Sequence, residues 1–201
     1  MSKSAIIVFV KNEELGKVKT RLAKDIGNEA ALLVYKKLLK RTNAITKILS
    51  VKKYLFYSNF VETEDIWNEL VYHKNVQSGN NLGERITNAF EFVFAENIES
   101  CIIIGSDCFE ITNQIIEDAY AKLQQNDLVI GPAEDGGYYL LGINKLHKEL
   151  FLNKNWSTKT LYKETLKTAK HLKLKVAELK ILNDIDTIED LINYNENYST
   201  E

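Results

Sequence analysis

The chain alternates short, continuously apolar runs with longer segments whose apolar residues recur every three to four positions, and this alternation limits the fold more than any other feature. Residues 5–10 (Ala-Ile-Ile-Val-Phe-Val) and 101–105 (Cys-Ile-Ile-Ile-Gly) are apolar and rich in β-branched residues, the pattern of strands covered on both faces. Further strands are predicted at 53–58, 71–76, 128–131, 138–143 and 175–181. Helices are predicted at 28–48, where Leu32, Tyr35, Leu38, Leu39 and Ile45 share one side, and at 82–95, where Leu82, Ile86, Ala89, Phe90 and Val93 do so. Others are predicted at 62–70, 112–124, 157–172 and 187–197, while 11–27 reads as a polar, Lys-rich loop. Strands alternating with helices imply an α/β fold, a mostly parallel mixed sheet with helices on both faces. No repeat, low-complexity tract or linker interrupts the pattern, and Pro132 marks no boundary, so residues 1–201 read as a single domain. In such sheets ligands lie outside the carboxyl ends of the strands, which directs attention to 11–21, 77–85, 105–110 and 131–137.

Composition removes several alternatives. With 26 basic and 28 acidic residues the formal charge is −2, unlike the basic surface of a nucleic-acid binder. No apolar run approaches the ~18–20 residues of a membrane span. The first apolar run is short and is followed by Lys11, Asn12, Glu13 and Glu14 rather than by a small-residue cleavage site. Cys101 and Cys108 are too few for a disulfide framework or a four-cysteine zinc site. The expectation is a cytoplasmic protein with reduced thiols.

Scarce residues point to the candidate site. Only three basic residues are arginines, Arg21, Arg41 and Arg85, and the guanidinium fork grips phosphate or carboxylate in a way lysine cannot. Seven of the nine glycines (16, 79, 83, 105, 131, 136 and 137) fall in segments that read as strand ends or loops. Gly16-Lys17-Val18-Lys19-Thr20-Arg21-Leu22 is neither a Walker loop nor a dinucleotide fingerprint. It places three cations within five residues above a sheet edge, suited to polyphosphate, or else forms a solvated charge run. Ile104-Gly105-Ser106-Asp107-Cys108 follows a buried strand. Asp107 there either supplies a hard oxygen ligand for Mg²⁺ or Mn²⁺ bridging substrate phosphates or, with Thr112, supports a helix start.

Gln77 to Arg85 combines amides, glycines and one arginine at a helix start, a setting for an anion or a nucleobase edge. Gly131 to Tyr138 either makes a tight hairpin turn or offers Asp135 to sugar hydroxyls while Gly136 and Gly137 permit close approach. Thr187 with Asp190 forms a capping-box-like helix start, which leaves Asp184 and Asp186 as acids delivered near the same edge. His73, His147 and His171 sit in no nucleophile-activating arrangement, and Cys108 lacks the electropositive setting of a reactive thiol.

Taken in order, Phe9-Val10-Lys11, Gly16 to Leu22, Leu82-Gly83-Glu84-Arg85, Gly105-Ser106-Asp107-Cys108, Asp135 to Gly142, Trp156-Ser157-Thr158 and Asp184-Ile185-Asp186-Thr187 resemble the GT-A-like selenodomain-associated transferase family. That family lies within the nucleotide-diphospho-sugar transferase superfamily. Lys19-Thr20-Arg21-Leu22 also resembles phospholactate guanylyltransferases. The resemblance implies one Rossmann-like GT-A domain and a divalent cation, Mg²⁺ or Mn²⁺, with Asp107 as its main ligand and Asp186 as a second. It implies that Lys19 and Arg21 clamp donor phosphates and, with Asp107, carry catalysis. Lys11, Gly16, Gln77, Gly83 and Arg85 would complete the nucleotide site, and Asp135, Gly136, Gly137 and Tyr138 the acceptor site. Glu13, Leu15 and Phe109 stand where the family often has proline.

The implied reaction is metal-dependent transfer from a nucleotide donor to a small-molecule or sugar-phosphate acceptor. Attack falls either at the α-phosphorus of a triphosphate or at the anomeric carbon of a nucleotide sugar. A non-catalytic nucleotide-binding module is the alternative.

Overall fold

The computed structural model describes residues 3–198, with side chains described through residue 195. Seven strands form one sheet: β1 Ser4–Val10, β2 Lys52–Tyr57, β3 His73–Val76, β4 Ser100–Ile104, β5 Leu128–Pro132, β6 Tyr138–Ile143 and β7 Val176–Glu178. Their order across the sheet is β3-β2-β1-β4-β6-β5-β7. Neighbouring strands β3, β2, β1 and β4 are parallel, as are β5 and β7. Strand β6 runs antiparallel to both β4 and β5. This is the mostly parallel mixed sheet expected from the sequence. The chain moves from β1 to β2 on one side and to β4 on the other, so the switch point lies between β1 and β4.

Among the described residues six α-helices accompany the sheet: α1 Thr20–Ile26, α2 Asn28–Lys47, α3 Leu82–Phe94, α4 Asn113–Leu123, α5 Leu161–His171 and α6 Ile188–Tyr198. Alternation along each strand divides the core in two. Ile6, Val8 and Val10 face α2 and α4, packing with Tyr35, Leu39, Ile116 and Leu123. Ala5 and Ile7 face α3 and α5, packing with Phe90, Val93, Phe151 and Ala169. Both faces are covered, which accounts for the unbroken apolar runs of β1 and β4. No helix among the described residues is long and apolar enough to cross a membrane.

Helix starts follow local chemistry. Asn81 accepts from Glu84 N at 3.0 Å while Glu84 accepts from Asn80 N at 2.8 Å, a reciprocal cap for α3. Thr112 Oγ1 accepts from Ile115 N at 3.3 Å to cap α4. Two expectations need correction. Residues 62–70 form turns, not a helix, because Asp65 and Asn68 side chains accept from the N–H groups of Trp67 and Leu70 and divert them from helical bonding. Residues 20–26 are helical rather than loop: α1 is short, and only Leu22 of it is buried.

Candidate functional site

Every connection that leaves the carboxyl end of a parallel strand emerges on one edge of the sheet, and three of them supply charge. The connection after β1 ends at Lys19, which precedes α1 in the left-handed conformation (φ 46°, ψ 43°) and has no side-chain cap. This conformation costs a non-glycine residue about 1–2 kcal/mol. The connection after β4 carries Asp107. The return after β7 is tied across the edge by Leu179 N to Ile130 O at 2.9 Å, Leu182 N to Pro132 O at 3.2 Å and Ile185 N to Asp107 O at 3.0 Å. Asp190 Oδ2 then accepts from Asp186 N at 3.0 Å, Thr187 N at 2.8 Å and Thr187 Oγ1 at 2.9 Å. The predicted helix cap is therefore present, and it also fixes the backbone at Asp186.

These ties bring charges far apart in sequence into one cluster. Lys19 Nζ lies 2.6 Å from Asp107 Oδ1 and 2.9 Å from Asp186 Oδ1, and Arg21 donates to Asp186 Oδ2. The Lys19 side chain is 3% exposed, against 40% for Asp107 and 30% for Asp186. The ammonium is thus buried beneath carboxylates that still reach solvent. Burial alone lowers the pKa of Lys19, but the charges and hydrogen bonds of the two aspartates outweigh it and leave the pKa raised. Burial likewise pushes Asp186 up, and Lys19 with Arg21 outweighs it and holds the carboxyl below its usual range. At Asp184 the compensation from Lys19 is outweighed. Burial, then the charge of Asp107, pushes its pKa to about 7, with Asp186 and Asp135 adding to the shift and Lys19 opposing it.

Two residues not singled out by sequence reasoning hold this edge together. Tyr35 Oη accepts from Lys11 N at 2.7 Å and lies 3.2 Å from Ser106 Oγ, joining the ends of β1 and β4. Buried Asn12 accepts from Asn59 N at 3.0 Å and donates to Phe60 O at 2.9 Å, pinning the connection after β1 to the one after β2. Tyr35 is visible in the sequence only as an apolar-face helix residue. Asn12 is visible only as a polar residue after a strand.

The remaining candidates occupy distinct places. Lys11 is exposed at the end of β1, and Gly16 turns the following loop at φ 74°. Gln77 Nε2 donates to Val10 O at 3.3 Å and Phe56 O at 3.1 Å, and its Oε1 accepts from Arg85 Nη1 at 3.5 Å. Arg85 Nε donates to Gly79 O at 3.1 Å, so this arginine braces its own loop.

Gly83 is a packing glycine: a Cβ would stand 2.3 Å from Phe151 O and 2.7 Å from Trp156 Nε1, so that side is closed to a ligand. A Cβ on Gly136 would likewise stand 2.2 Å from Lys159 O. Asp135 Oδ1 accepts from Gly137 N at 2.8 Å, the tight turn weighed from the sequence, while its charge still reaches Asp184. Tyr138 stacks edge-on with Trp156 at 6.2 Å, and its buried hydroxyl has no hydrogen-bond partner among the described residues.

Among the described residues no three His, Cys, Asp or Glu side chains converge tightly enough to cage a metal ion by themselves. The donor set nonetheless suits a hard divalent cation that keeps part of its shell for substrate. Asp107 and Asp184 carry the hard carboxylate oxygens such a cation takes, and the charge of Asp107 adds to burial in raising the pKa of Asp184.

A family model described as "Uncharacterized protein conserved in bacteria (DUF2064)" matches residues 42–158. A crystal structure from Desulfovibrio desulfuricans G20, of a protein assigned as a nucleotide-diphospho-sugar transferase, is 30% identical. It superposes with a TM-score of 0.90, over 100% of this chain and 90% of that one. Two others share the fold at lower identity. The 4-diphosphocytidyl-2C-methyl-D-erythritol synthase of Anaerococcus prevotii DSM 20548 is 11% identical with a TM-score of 0.59, covering 98% of this chain and 96% of that one. A cytidylyltransferase of Leptospira borgpetersenii is 15% identical with a TM-score of 0.59, covering 100% and 88%. A search of the curated proteins gives no match.

Proposed function

The chain belongs to the DUF2064 family, and from that premise we propose that it is a transferase that takes a nucleotide donor, with Asp107, Asp184 and Asp186 serving a divalent cation, Mg²⁺ or Mn²⁺, and Lys19 and Arg21 serving the donor phosphates. The observation that carries this reading is the bridging ammonium: Lys19 Nζ sits within 2.9 Å of both Asp107 and Asp186 at the switch point. Cations and carboxylates that neutralise one another there can exchange partners, the cations turning to phosphate and the carboxylates to a metal. The 30% identical relative assigned as a nucleotide-diphospho-sugar transferase supports the donor class.

Within that class, two cations at the start of α1 favour nucleotidyl transfer. Lys19 and Arg21 would hold the β- and γ-phosphates of a nucleoside triphosphate and accept the charge that develops on departing pyrophosphate. A divalent cation, when bound, supplies further neutralisation of the phosphate oxygens. Tyr35 and Asn12 keep the loop bearing these cations in register with Asp107. The acceptor is a small molecule or sugar phosphate whose oxygen attacks the α-phosphorus.

Purified protein with each ribonucleoside triphosphate, or with nucleotide sugars, plus Mn²⁺ and a panel of sugar phosphates tests the reading. Release of inorganic pyrophosphate supports nucleotidyl transfer, and release of nucleoside diphosphate shifts the assignment to glycosyl transfer. Metal-dependent nucleotide binding without turnover leaves a binding module. Asp107→Ala should abolish metal-dependent nucleotide binding, and unchanged affinity in that variant would remove Asp107 from the site.

A further inference from the structure

The sheet does not close, so among the described residues β3 and β7 each leave one row of backbone groups without a strand beside it. Such an edge pairs readily with another chain unless a projecting charge, a proline, a bulge or a covering segment guards it. β7 is three residues long and ends on the exposed Glu178. β3 has four residues and no proline, and pairs with β2 in continuous register. Its one lysine does not project. Lys74 Nζ turns inward to Asp65 Oδ1 and Glu62 O, both at 2.9 Å, and the side chain is 6% exposed. The residue as a whole is nevertheless only half-buried, so the Lys74 backbone itself reaches solvent.

Hydrogen-bond alternation shows which groups are offered. Gln77 N donates to Tyr57 O at 2.9 Å, and Asn75 lies opposite Phe56. In a parallel ladder His73 and Asn75 then turn their N–H and carbonyl groups to β2, whereas Lys74 and Val76 turn theirs outward. Apolar side chains border this edge. Leu70, Val71 and Val76 are exposed. Phe92 of α3, edge-on to Tyr54 and Phe56, is also exposed, on the face that Asn75 shares. Charge gathers only at the amino end, where Lys52, Glu69 and Glu96 line a groove of about 430 Å³. At the carboxyl end Gln77-Ser78-Gly79-Asn80 is uncharged.

We propose that β3 pairs with β3 of a second copy of this chain, antiparallel about a two-fold axis at Asn75. The N–H and carbonyl of Lys74 then meet the carbonyl and N–H of Val76 in the second copy, and the reciprocal pair forms across the axis. The Phe92 rings of both copies fall on one face of the joined sheet. The antiparallel sense sets the charged end of each edge against the uncharged Gln77-Ser78-Gly79 of the other, so no like charges meet. A foreign peptide added to an edge is selected by pockets at alternate side-chain positions, and the groove here serves only the amino end of the strand. The pairing is independent of the transferase reading.

The axis supplies the test, because Asn75 stands opposite itself in a pair without mutual hydrogen bonds, where side chains come closest. Analytical ultracentrifugation of the wild type should show a dimer at micromolar concentration. Asn75→Asp and Asn75→Lys should each weaken it about tenfold or more by placing like charges on the axis. Mixing these two variants should restore a dimer containing one of each. Val76→Pro removes an outward N–H and no bond to β2, and should likewise give monomer. All three variants should keep the circular dichroism of the wild type; if Val76→Pro does not fold, the Asn75 pair carries the test alone. A monomeric wild type overturns the proposal. So does a dimer that either Asn75 variant or a folded Val76→Pro retains undiminished, or an Asp–Lys mixture that stays monomeric.

Discussion

Replacing Lys19 by methionine isolates the contribution of the central cation. The variant leaves Asp107 without its ammonium and Asp186 with Arg21 alone. Breaking a fully buried pair costs about 3–5 kcal/mol, and an exposed pair is worth about 0–1 kcal/mol. Here the lysine is buried, but the carboxylates retain 30–40% exposure and one keeps a second partner. The loss for Lys19→Met should therefore be about 2 kcal/mol at pH 7. With a urea slope of about 2 kcal/mol/M, the midpoint should fall by about 1 M.

The pH dependence gives a second readout. Asp186 has a folded pKa below its ordinary value of 3.8, so its contribution is present above about pH 4 and is lost as pH falls through the lower folded value. Lys19 has a folded pKa above its ordinary value of 10.5, so its contribution is present below that pH and is lost as pH rises through the folded value. The gap between wild type and Lys19→Met should thus be widest between these limits and narrow outside them. Lys19→Gly loses the same ion pairs but relieves the left-handed backbone, and should be about 1 kcal/mol more stable than Lys19→Met. A methionine variant within 0.5 kcal/mol of wild type at pH 7, or a gap that persists unchanged in acid, would refute the account of Lys19 as the cluster's central cation.

Three other outcomes follow from neighbouring residues. Asp184 is protonated more readily in the folded protein, at about pH 7 against 3.8, so ionising it lowers stability as pH rises through that window. Asp184→Asn should flatten this slope by up to ~4 kcal/mol across it, measured as urea midpoints from pH 4 to 8; parallel curves would contradict the shift. Arg21→Lys should leave urea stability nearly unchanged, because the side chain is 62% exposed. It should weaken triphosphate binding by ~1.5–3 kcal/mol, the worth of a charge-assisted hydrogen bond, and a loss near zero would make Arg21 a solvated loop residue. Gly83→Ala should cost about 1–3 kcal/mol by forcing α3 away from Phe151 and Trp156, read as a lower melting temperature; unchanged melting would show that this contact gives way freely.

Much of the fold is legible because strands buried on both faces and amphipathic helices leave different periodicities. β1, β4 and α3 stand out in this way, their apolar residues mapping onto the two cores. α1 does not, since seven residues with one buried leucine carry no period and its N-cap is a left-handed lysine rather than a Ser, Thr, Asp or Asn. The segment 62–70 misleads for the opposite reason: its apolar spacing resembles a helix, but its side-chain carboxylate and amide satisfy the backbone locally. At the site, residue types were readable and partners were not. Lys19 and Asp186 are 167 positions apart, and nothing in either segment names the other. Gly83 and Gly105 look alike in sequence, yet one is filled by Phe151 and the other is open. Only three-dimensional surroundings separate a glycine that serves packing from one that leaves room. The charge state of Asp184 also depends on neighbours assembled from three connections.

The stitching of the return segment to β5 and to Asp107 has a consequence for how the protein matures. Sheet and helices up to α5 can condense without the return segment, although β1 and β4 pair across 96 positions, but the negative charge opposite Lys19 is incomplete until the stretch beyond β7 has been synthesised and laid across the edge. Closing so large a loop is slow relative to local pairing. During biosynthesis the protein should therefore acquire its hydrophobic interior first and its ligand-handling apparatus last, and a folding intermediate with native-like compactness but no affinity for polyanions is the species to look for.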